Sequence, residues 1–449
     1  MEVSPKGTAA VPPWKRLIRA LIAAEISQVA RYTKKIIQIG RLPHDPGDIL
    51  DATECKEKSE ALSSENLSSS DSEGSMFLLN GNINYELDIQ SLLTKLHARC
   101  SRSSRVAIVA YNPYLRLFYR LANFLKLREA PLPTTFILRS DLTNIARLAG
   151  FHVVRSRSVG FFPWSLAGVG VFLNRVLAAI PILRWFGVAT VIFLRPIVRS
   201  STAPSVSVII PARNERENIE KSLTRMPSFA GKAPEIVFVE GHSNDGTWEE
   251  IERLKTKYSD KFRIQALKQH GRGKSDAVRL GCSVATGEVL MILDSDLTMP
   301  PEQLTSYLKA YTDGLADFIN GNRLVYPMER EAMRFLNWLG NVFFAKLVSA
   351  VLEVQIGDTL CGSKIFSKYD YDRFVNWRKD FGEFDPFGDF ELLFPAAQLG
   401  VGILDIPIRY HSRTYGTTNI SRFVDGARLL KMTVIGLWKI RLGAGLGRH

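Results

Sequence analysis

The stretch VLMILDSD at residues 289–296 decides the fold, because a charge-free apolar run ends there in two carboxylates separated by one residue. Such a run, bounded by Gly287 and followed by two prolines, predicts a buried parallel strand. Asp294 and Asp296 then lie at its carboxyl end, the edge at which open α/β sheets bind ligands. Paired carboxylate oxygens there suit Mg²⁺ or Mn²⁺ carrying a diphosphate, although a turn or helix cap is the commoner use of such a pair.

Strand, loop and helix alternate through the residues that precede this run. Residues 206–210 predict a second buried strand, which we expect to end at Pro211 because proline lacks a backbone N–H donor. Residues 236–239 predict a third strand, and Thr247 with Glu250 matches a capping box for the helix that follows. A glycine-rich basic turn then opens a further helix. The alternation, with polar residues at each strand exit, predicts a doubly wound α/β sheet.

Eight ordered blocks of this chain resemble the family 2 glycosyltransferases, especially dolichyl-phosphate mannose synthase and related polyprenyl-phosphate glycosyltransferases. The blocks are VIIPARNE (208–215), SNDGT (243–247), GRGKSDAVRLG (271–281), LDSDLTMPPE (293–302), GNRL (321–324), GDTLCG (357–362), FGDFELL (387–393) and RTYGTTNIS (413–421). An ordered set of this kind is far more specific than any single block. The resemblance covers about residues 203–442 and implies an α/β fold, with a GT-A-type doubly wound mixed sheet over residues 203–412.

The resemblance also implies a donor site. The nucleotide-binding residues expected on this basis are Pro211, Ala212, Arg213, Glu215, Glu240, Asp245, Arg272, Lys274, Asp294, Ser295 and Asn419, with Asp294 and Asp296 as the Mg²⁺ or Mn²⁺ ligands. Glu215 either accepts hydrogen bonds from ribose hydroxyls or is a solvated charge at a helix start. Asp245 either contacts the nucleotide or caps the helix near Thr247. Arg272 and Lys274, set among glycines, either approach the diphosphate or form a solvated basic turn.

Two positions depart from the family pattern. Glu240 stands where the family commonly has the first of two adjacent aspartates, and Gly241 replaces the second, which leaves the choice between guanine and uracil open. Asn419 occupies a position where mannose synthases usually carry lysine, so a point charge beside the phosphates is lost. The expected donor is therefore GDP-mannose or a UDP-sugar.

The chemistry that the resemblance implies is inverting displacement at the anomeric carbon of a nucleotide sugar, with the leaving charge stabilised by the metal and by arginines. The expected catalytic residues are Asp296, Arg323, Asp358, Asp389, Glu391 and Arg413. A lipid phosphate acceptor, with a second pKa of about 6, is already nucleophilic. A sugar hydroxyl needs a general base, for which Asp358, Asp389 and Glu391 are the candidates; each of them is otherwise a structural carboxylate.

Two other functions stay open. One is transfer to a saccharide hydroxyl, and the other is a non-catalytic scaffold that binds a nucleotide sugar without turning it over. Retention of both Asp294 and Asp296 argues against the scaffold, because a protein without turnover need not keep a metal site. We expect a hexosyltransferase that acts on a polyprenyl-phosphate-type lipid.

Composition favours work at a membrane surface. The chain of 449 residues has 46% hydrophobic residues and a formal net charge of +13, which attracts it to anionic partners. No nucleic-acid-binding module is recognised, and the basic residues interleave with apolar stretches, so we expect no nucleic acid. Four scattered cysteines without disulfide or zinc spacing indicate a cytoplasmic location. We expect peripheral association with the membrane.

Two helical stretches carry this membrane prediction. Residues 334–352 and 426–442 are amphipathic, and both are interrupted by charge, so neither reaches an uninterrupted apolar span of about 18 residues. In the second stretch the basic residues placed at the membrane edge are Arg428, Lys431, Lys439 and Arg441. We therefore assign residues 413–449 to an acceptor loop and a membrane-interface helix, with a helix packed only on protein as the alternative.

The N-terminal part predicts a separate domain. Residues 1–75 are interpreted as a basic amphipathic segment, within residues 1–40, followed by a disordered serine-rich linker at residues 55–75. Residues 76–198 resemble the C-terminal half of a class I methyltransferase, with the likeness carried by stretches such as 76–97 and 104–127. The glycine-rich strand-turn-helix that holds S-adenosylmethionine belongs before this region, and we expect none in residues 1–75. The prediction is a degenerate, non-catalytic α/β methyltransferase-like domain.

Overall fold

A computed structural model describes residues 11–68, 71–128, 130–327, 335–382, 385, 387–413, 415 and 422–442. The chain divides into two compact units, Met1–Pro196 and Ile197–His449. Each unit is built on its own β-sheet, and helices connect successive strands within each sheet.

The N-terminal unit contains a six-stranded sheet in the described residues. Its strands are β1 (Lys35–Ile39), β2 (Glu57–Ala61), β3 (Met76–Asn80), β4 (Arg105–Tyr111), β5 (Phe151–Val159) and β6 (Ala189–Pro196). Its helices are α1 (Pro13–Ala30), α2 (Asp48–Ala52), α3 (Ile89–His97), α4 (Arg116–Phe124), α5 (Arg139–Leu148) and α6 (Val169–Ala179). The strand order is β2-β1-β3-β4-β6-β5. β6 runs antiparallel to both of its neighbours, and the other pairs are parallel.

The structure corrects the disordered linker predicted for residues 55–75. β2 pairs in parallel with β1 along its whole length, and β1 pairs with β3, so both strands belong to the sheet. β2 is an edge strand with four of its five side chains exposed, which explains why it lacks the alternating apolar pattern of a half-buried strand. A turn also follows a strand in this region, since Gly40 (φ 56°) comes directly after β1. The likeness to a methyltransferase stays an interpretation.

The C-terminal unit contains a seven-stranded sheet in the described residues. Its strands are β7 (Val206–Ala212), β8 (Glu235–Glu240), β9 (Ile264–Lys268), β10 (Val289–Ile292), β11 (Phe318–Asn322), β12 (Lys364–Ser367) and β13 (Ile403–Pro407). Its helices are α7 (Arg216–Thr224), α8 (Thr247–Lys257), α9 (Lys274–Val284), α10 (Leu304–Thr312), α11 (Phe335–Leu352), α12 (Lys368–Phe381), α13 (Phe390–Gln398) and α14 (Arg422–Gly436). The strand order is β13-β11-β12-β10-β7-β8-β9.

The predicted doubly wound mixed sheet is confirmed. β10, β7, β8 and β9 are parallel neighbours, whereas β12 runs antiparallel to β10 and β11. All four residues of β10 are buried, as expected of a central strand. One detail differs, because β7 continues through Pro211 to Ala212. The missing N–H of Pro211 points toward β10, which has already ended at Ile292, so no ladder bond is lost there.

The last helices of the unit pack on protein more than the sequence predicts. α14 continues into a π-helical turn, Leu437–Arg441, and packs against α11. Arg441 is buried and forms an ion pair with Glu353, and Lys439 donates to the Phe381 carbonyl. Two of the four basic residues assigned to the membrane edge therefore face protein. Within the described ranges, no helix has the length and apolar character needed to cross a bilayer.

Candidate active site

The carboxyl end of β10 carries the two aspartates. The Leu293 amide donates to the Ile209 carbonyl at 3.0 Å, and Asp294 and Asp296 follow this last bond to β7. Asp296 is fixed because its Oδ1 accepts hydrogen bonds from the Thr298 amide (3.1 Å) and hydroxyl (2.8 Å). Both carboxylates thus lie at the strand exit, where the sequence predicts them.

Each aspartate has a basic partner. Asp294 forms an ion pair with Lys274, the first residue of α9, and Asp296 Oδ2 lies 2.7 Å from the Arg413 guanidinium. A Cβ atom at Gly362 would overlap both Lys274 and Asp294. Only glycine at this position leaves room for the pair, so the loop that enters β12 packs directly on it.

The Lys274–Asp294 pair stays charged at neutral pH. Burial opposes the charge on Asp294, but the Lys274 ammonium outweighs it and lowers the pKa of the carboxyl. Burial likewise opposes the charge on Lys274, and the nearby carboxylates of Asp294, Asp389 and Asp296 raise its pKa above the ordinary value. About a third of each side chain is exposed, 32% for Lys274 and 29% for Asp294, so an anionic or cationic ligand can reach them.

Arg323 and Asp358 form a bidentate ion pair. Arg323 Nε and Nη2 lie 2.6 and 2.8 Å from the two carboxylate oxygens, and the guanidinium lies 5.3 Å from the centre of the Tyr410 ring. Asp358 is fully buried and also accepts from the Arg323 and Leu360 amides. Burial raises the pKa of Asp358, but Arg323 outweighs it and keeps the carboxyl ionised. Its main role in this geometry is to hold Arg323.

Asp389 is paired with a lysine that the sequence analysis did not single out. The fully buried Lys364 ammonium contacts Asp389 Oδ1 and donates to the Cys361 carbonyl. Asp385 lies beside this pair and accepts from the amides of Phe387 (2.8 Å) and Phe390 (2.7 Å) at the start of α13. Burial, reinforced by the Asp389 charge, raises the pKa of Asp385 to about 7.

The Glu391 carboxylate is bound by two arginines. Arg279 from α9 binds both of its oxygens, and Arg378 from α12 lies 3.1 Å from Oε2. The Glu391 side chain is 3% exposed. The arrangement ties three helices together, so the structural interpretation of this carboxylate is favoured over that of a general base.

Glu215 occupies the exit of β7. It is buried, and its Oε2 accepts a hydrogen bond from the Asn218 side-chain amide at 2.7 Å. Burial raises the pKa of Glu215 to about 7; Asn218 lowers it, and the Asp296 charge raises it further. The solvated-charge alternative is therefore wrong, because this carboxyl lies inside the strand-exit cluster next to Asp296.

Asp245 caps two helices at once. Its Oδ1 accepts from the Thr247 amide at 3.0 Å at the start of α8, and its Oδ2 accepts from the Arg216 amide at 3.2 Å at the start of α7. The predicted capping box is wrong, since Thr247 Oγ1 donates to Asp245 and the Glu250 side chain binds Arg253 at 2.7 Å instead. The capping alternative for Asp245 is thus realised.

The other donor-site candidates lie on the same edge. Ser295 Oγ donates to the Pro211 carbonyl at 2.9 Å, which joins the exits of β10 and β7. Glu240 is buried and accepts from the Ser243 amide, so it shapes the turn after β8. For three further candidates the structure gives only the exposure of the residue: Ala212 is buried, whereas Arg213 and Arg272 are exposed. Asn419 lies outside the described residues.

Four residues of this region were missed by the sequence analysis. They are Lys364, Asp385, His242 and Tyr415. His242 (φ 59°) contacts the Gly271 carbonyl at 2.9 Å, and the Tyr415 hydroxyl donates to Asp245 at 3.3 Å. Only Asp385 leaves a signal in the sequence, as the first carboxylate of DPFGD, four residues before Asp389.

Comparisons with known proteins found similar glycosyltransferases. Residues 207–374 match the model of "Glycosyl transferase family 2". The dolichol-phosphate mannosyltransferase of Pyrococcus furiosus is 39% identical over 145 residues, which are 32% of this chain and 38% of that relative. The dolichyl-phosphate hexose transferase of Haloferax volcanii is 28% identical over 233 residues, which are 52% of this chain and 94% of that relative.

Solved structures are more distant. Glucosyl-3-phosphoglycerate synthase from Mycobacterium tuberculosis is 17% identical with a TM-score of 0.39, over 54% of this chain and 80% of that chain. The chain spans well under half the length of the Pyrococcus relative. The family match and the mixed sheet together confirm the predicted GT-A-type fold. Residues 207–374 are therefore the part of the chain that is similar to glycosyltransferase family 2.

Proposed function

We propose that this protein transfers a hexose, with inversion, from GDP-mannose or a UDP-sugar to a polyprenyl-phosphate-type lipid at the cytoplasmic face of a membrane. The names of its relatives support the acceptor class, since they act on dolichol phosphate. The single observation that carries the proposal is the ion pair with arginine or lysine that each of the three bases expected from the sequence forms, namely Asp358, Asp389 and Glu391.

This pairing matters because the two acceptor classes need different chemistry. A sugar hydroxyl must lose a proton to a base within hydrogen-bond reach, and a carboxylate whose oxygens already bind arginine or lysine is not free to take that proton. A lipid phosphate carries a negative charge at neutral pH and attacks without such help, because its second pKa is about 6. The paired carboxylates therefore favour the phosphate.

The donor site has the residues for a divalent cation. Asp294 and Asp296 offer hard oxygen ligands, and Mg²⁺ is usually bound through one or two carboxylates together with substrate phosphates and water. In the described residues no third carboxylate, histidine or cysteine completes a metal cluster, which fits such a shared site. When bound, the cation would neutralise charge on the leaving diphosphate.

The basic side chains supply the remaining stabilisation. Lys274 and Arg413 each hold one aspartate, so a ligand that engages these aspartates would leave both cations free to bind phosphate oxygens. Asp358 fixes the orientation of Arg323 through two hydrogen bonds. A planar guanidinium can bind a phosphate with two donors. These three residues would stabilise the charge that develops on the leaving group.

One observation favours the saccharide-hydroxyl alternative. Asp385 has a pKa of about 7 because of its burial, which is the range expected of a general base at neutral pH. Its two oxygens accept backbone amides at the start of α13, which argues for a structural role. The acceptor experiment must therefore include this residue.

The test is a matrix of donors and acceptors. The purified full chain would be incubated with GDP- and UDP-sugars, Mg²⁺ or Mn²⁺, and either polyprenyl phosphate in vesicles or soluble saccharides, with nucleotide release and a radiolabelled lipid measured. We expect labelled lipid phosphate with one donor base. Labelled saccharide without labelled lipid would identify the hydroxyl acceptor, and donor binding without any product would identify a scaffold.

A further inference from the structure

The N-terminal unit exposes an unusual concentration of apolar side chains. Two short segments, residues 114–127 and 164–186, hold about half of the large apolar side chains that are exposed in the described part of the chain. We call these exposed side chains the aromatic face. Soluble proteins rarely expose so many large apolar residues together unless the surface binds something.

Helix α4 exposes its apolar side chains to solvent, unlike an ordinary surface helix. Tyr119 is its one buried residue, whereas Leu117, Phe118 and Phe124 are 73%, 65% and 83% exposed. An amphipathic helix of a soluble domain normally buries its apolar stripe against the core. Here the stripe faces outward while the Tyr119 hydroxyl, by donating to the Val188 carbonyl, anchors the helix to the sheet.

A buried asparagine joins the two segments. The Asn112 side-chain amide donates to the carbonyls of Trp185 (2.7 Å) and Gly187 (2.6 Å), and its Oδ1 accepts from the Tyr114 amide at 3.0 Å. Asn112 is 3% exposed. The exposed rings of Tyr114 and Trp185 consequently lie side by side, with centroids 5.8 Å apart. The two segments therefore form one continuous surface.

A second buried asparagine fixes the aromatic loop that precedes α6. Asn174 Oδ1 accepts from the amides of Phe161 (2.7 Å) and Phe162 (3.0 Å), and its amide donates to the Phe162 carbonyl at 2.9 Å. The Phe162 ring packs edge-on against Trp164, whose side chain is 60% exposed. A Cβ atom at Gly170 would overlap the Trp164 carbonyl, so the loop is seated closely on α6. These exposed aromatic rings are held in place by buried hydrogen bonds.

The charge of the aromatic face has one sign. Arg116, Arg120 and Lys126 are exposed among the apolar residues of the first segment, and none of them forms an ion pair with the described residues. The sequence contains no aspartate or glutamate between Asp141 and Glu215, a stretch that includes the whole second segment. Apolar and aromatic side chains with basic residues around them are the composition of surfaces that insert into anionic lipid interfaces.

We propose that the aromatic face docks the N-terminal unit on an anionic lipid bilayer. Tryptophan and tyrosine prefer the headgroup level, where an apolar ring and a polar edge are both satisfied, and the exposed cations would meet lipid phosphates. The proposal gives this unit a role that needs neither a donor nor an acceptor. Its failure would therefore leave the proposed transfer reaction untouched.

The test measures binding of the full chain to vesicles of phosphatidylcholine with and without phosphatidylserine. Leu117→Ser, Phe118→Ser and Phe124→Ser are combined in one variant. A matched control combines Leu62→Ser, Leu148→Ser and Leu315→Ser, which are 89%, 71% and 57% exposed but lie outside the aromatic face. We expect the first variant to bind at least about tenfold more weakly and the control to bind like the wild type, since partitioning follows the apolar area inserted.

Two further measurements identify the occupant. Replacing Arg116, Arg120 and Lys126 by glutamine should remove the preference for anionic vesicles and flatten the salt dependence. Brominated lipids should quench less fluorescence in Trp185→Phe than in the wild type if Trp185 enters the bilayer. Unchanged vesicle binding by the serine variant would overturn the proposal. The proposal would also be overturned if the serine variant lost self-association, measured by light scattering, but kept its vesicle binding. That result would make the face a contact between two copies.

Discussion

At the scale of single residues, each of the two strand-exit carboxylates, Asp294 and Asp296, forms an ion pair with a basic side chain. Lys274 and Arg413 hold Asp294 and Asp296, and the exclusion of any side chain at Gly362 keeps the first pair tight. The pairs are partly exposed, so a ligand can exchange with their partners. In the proposed reaction, a divalent cation and a diphosphate would take the place of these partners.

We predict that Asp294→Ala and Asp296→Ala each abolish transfer while the fold persists. Each removes a carboxylate from the proposed cation site and leaves a basic side chain without its partner. Turnover would be measured with the lipid acceptor, and EDTA treatment of the wild type should have the same effect. Asp313→Ala is the matched control, because Asp313 forms only an exposed surface pair with Lys309. Full turnover by verified metal-free enzyme would contradict the metal assignment.

A second prediction concerns Glu215, whose pKa is raised from 4.5 to about 7 by burial. Below pH 4.5 the carboxyl is neutral in both the folded and the unfolded chain. Between pH 4.5 and about 7 only the unfolded chain gives up this proton, so the stability that the neutral carboxyl provides is lost as pH rises through the folded pKa.

The measurement compares wild type with Glu215→Gln. Urea midpoints at pH 5 and pH 8 should show the wild type losing stability relative to the variant as pH rises. The exposed Glu217→Gln, on the same helix, serves as the control. The Asp385 carboxyl titrates in the same range in all three proteins, and therefore cancels in the difference. A constant difference between wild type and Glu215→Gln would show that Glu215 is ionised in the folded protein at pH 5.

A third prediction separates the acceptor classes. With a lipid phosphate acceptor, Asp385→Asn and Asp389→Asn should each lower turnover by less than about tenfold, because no proton leaves the nucleophile. With a hydroxyl acceptor, one of them should cost about 10²-fold or more. Asp358→Asn is measured beside them and should act through Arg323.

Glu391→Gln provides the structural comparison for this series. It should lower the free energy of unfolding by about 3 kcal/mol, because two arginines lose a nearly buried partner. Turnover per folded molecule should stay close to that of the wild type. A loss of turnover near 10²-fold at Glu391, with folding and donor affinity unchanged, would reverse this assignment.

The residues of the site were predictable to different degrees. Asp294 and Asp296 follow an apolar run, so local pattern alone puts them at a strand exit. Lys364 begins a strand that returns antiparallel from a distant part of the chain, and its pairing with Asp389 depends on tertiary packing that no local pattern encodes. The sequence analysis left both a base role and a structural role open for Glu391, because its pairing with Arg279 and Arg378 depends on how three helices pack.

At the scale of elements, β7, β8 and β10 were the strands of the C-terminal sheet that the sequence predicted. Their buried apolar runs differ sharply from the loops between them, and β7 differs from prediction only at its end. β2 escaped prediction because the edge strand EKSEA buries almost nothing. α8 was predicted with the wrong cap, since Asp245 and Thr247 both offer cap oxygens and only packing against α7 selects between them.

A fourth prediction belongs to α14 and the π-helical turn. Leu430, Val434 and Trp438 are about half exposed, whereas Arg441 is buried in its pair with Glu353. Replacing the three apolar residues by serine should weaken vesicle binding without loss of stability. Arg441→Gln should instead lower the urea midpoint and leave vesicle binding per folded molecule unchanged. Equal effects of both variants on vesicle binding would contradict the inward assignment of Arg441.

At the scale of the whole molecule, the chain combines two independent sheets. The C-terminal sheet was predictable because eight motifs fall in order along it. The N-terminal sheet was only half recognised, since its first two strands are short and one of them is exposed. The interpretation of that unit therefore depends on whether S-adenosylmethionine can bind in the crevice between β1 and β3.

A fifth prediction is that the full chain does not bind S-adenosylmethionine. The crevice between β1 and β3, where a doubly wound sheet would bind a ligand, is occupied by the chain's own side chains. Asp45 accepts hydrogen bonds from Gln38 (2.5 Å), Asn80 (2.8 Å) and the Gly47 amide (2.9 Å). Calorimetry with the cofactor should show no heat of binding. Micromolar affinity, lost in Asp45→Ala, would make the chain bifunctional.

The antiparallel course of β12 has a consequence for synthesis on the ribosome. β12 runs antiparallel to β10, so the loop before β12 reaches the carboxyl end of β10. This loop, and later Arg413, must be synthesised before Asp294 and Asp296 have all their contacts. Lys274 precedes Asp294, so the first pair can form early in the nascent chain. About a hundred further residues must be synthesised before Arg413 can pair with Asp296, which takes several seconds at about 5–20 residues per second. Until then the growing polypeptide carries the Asp296 carboxylate without its Arg413 partner at the carboxyl end of the parallel strands β7 to β10.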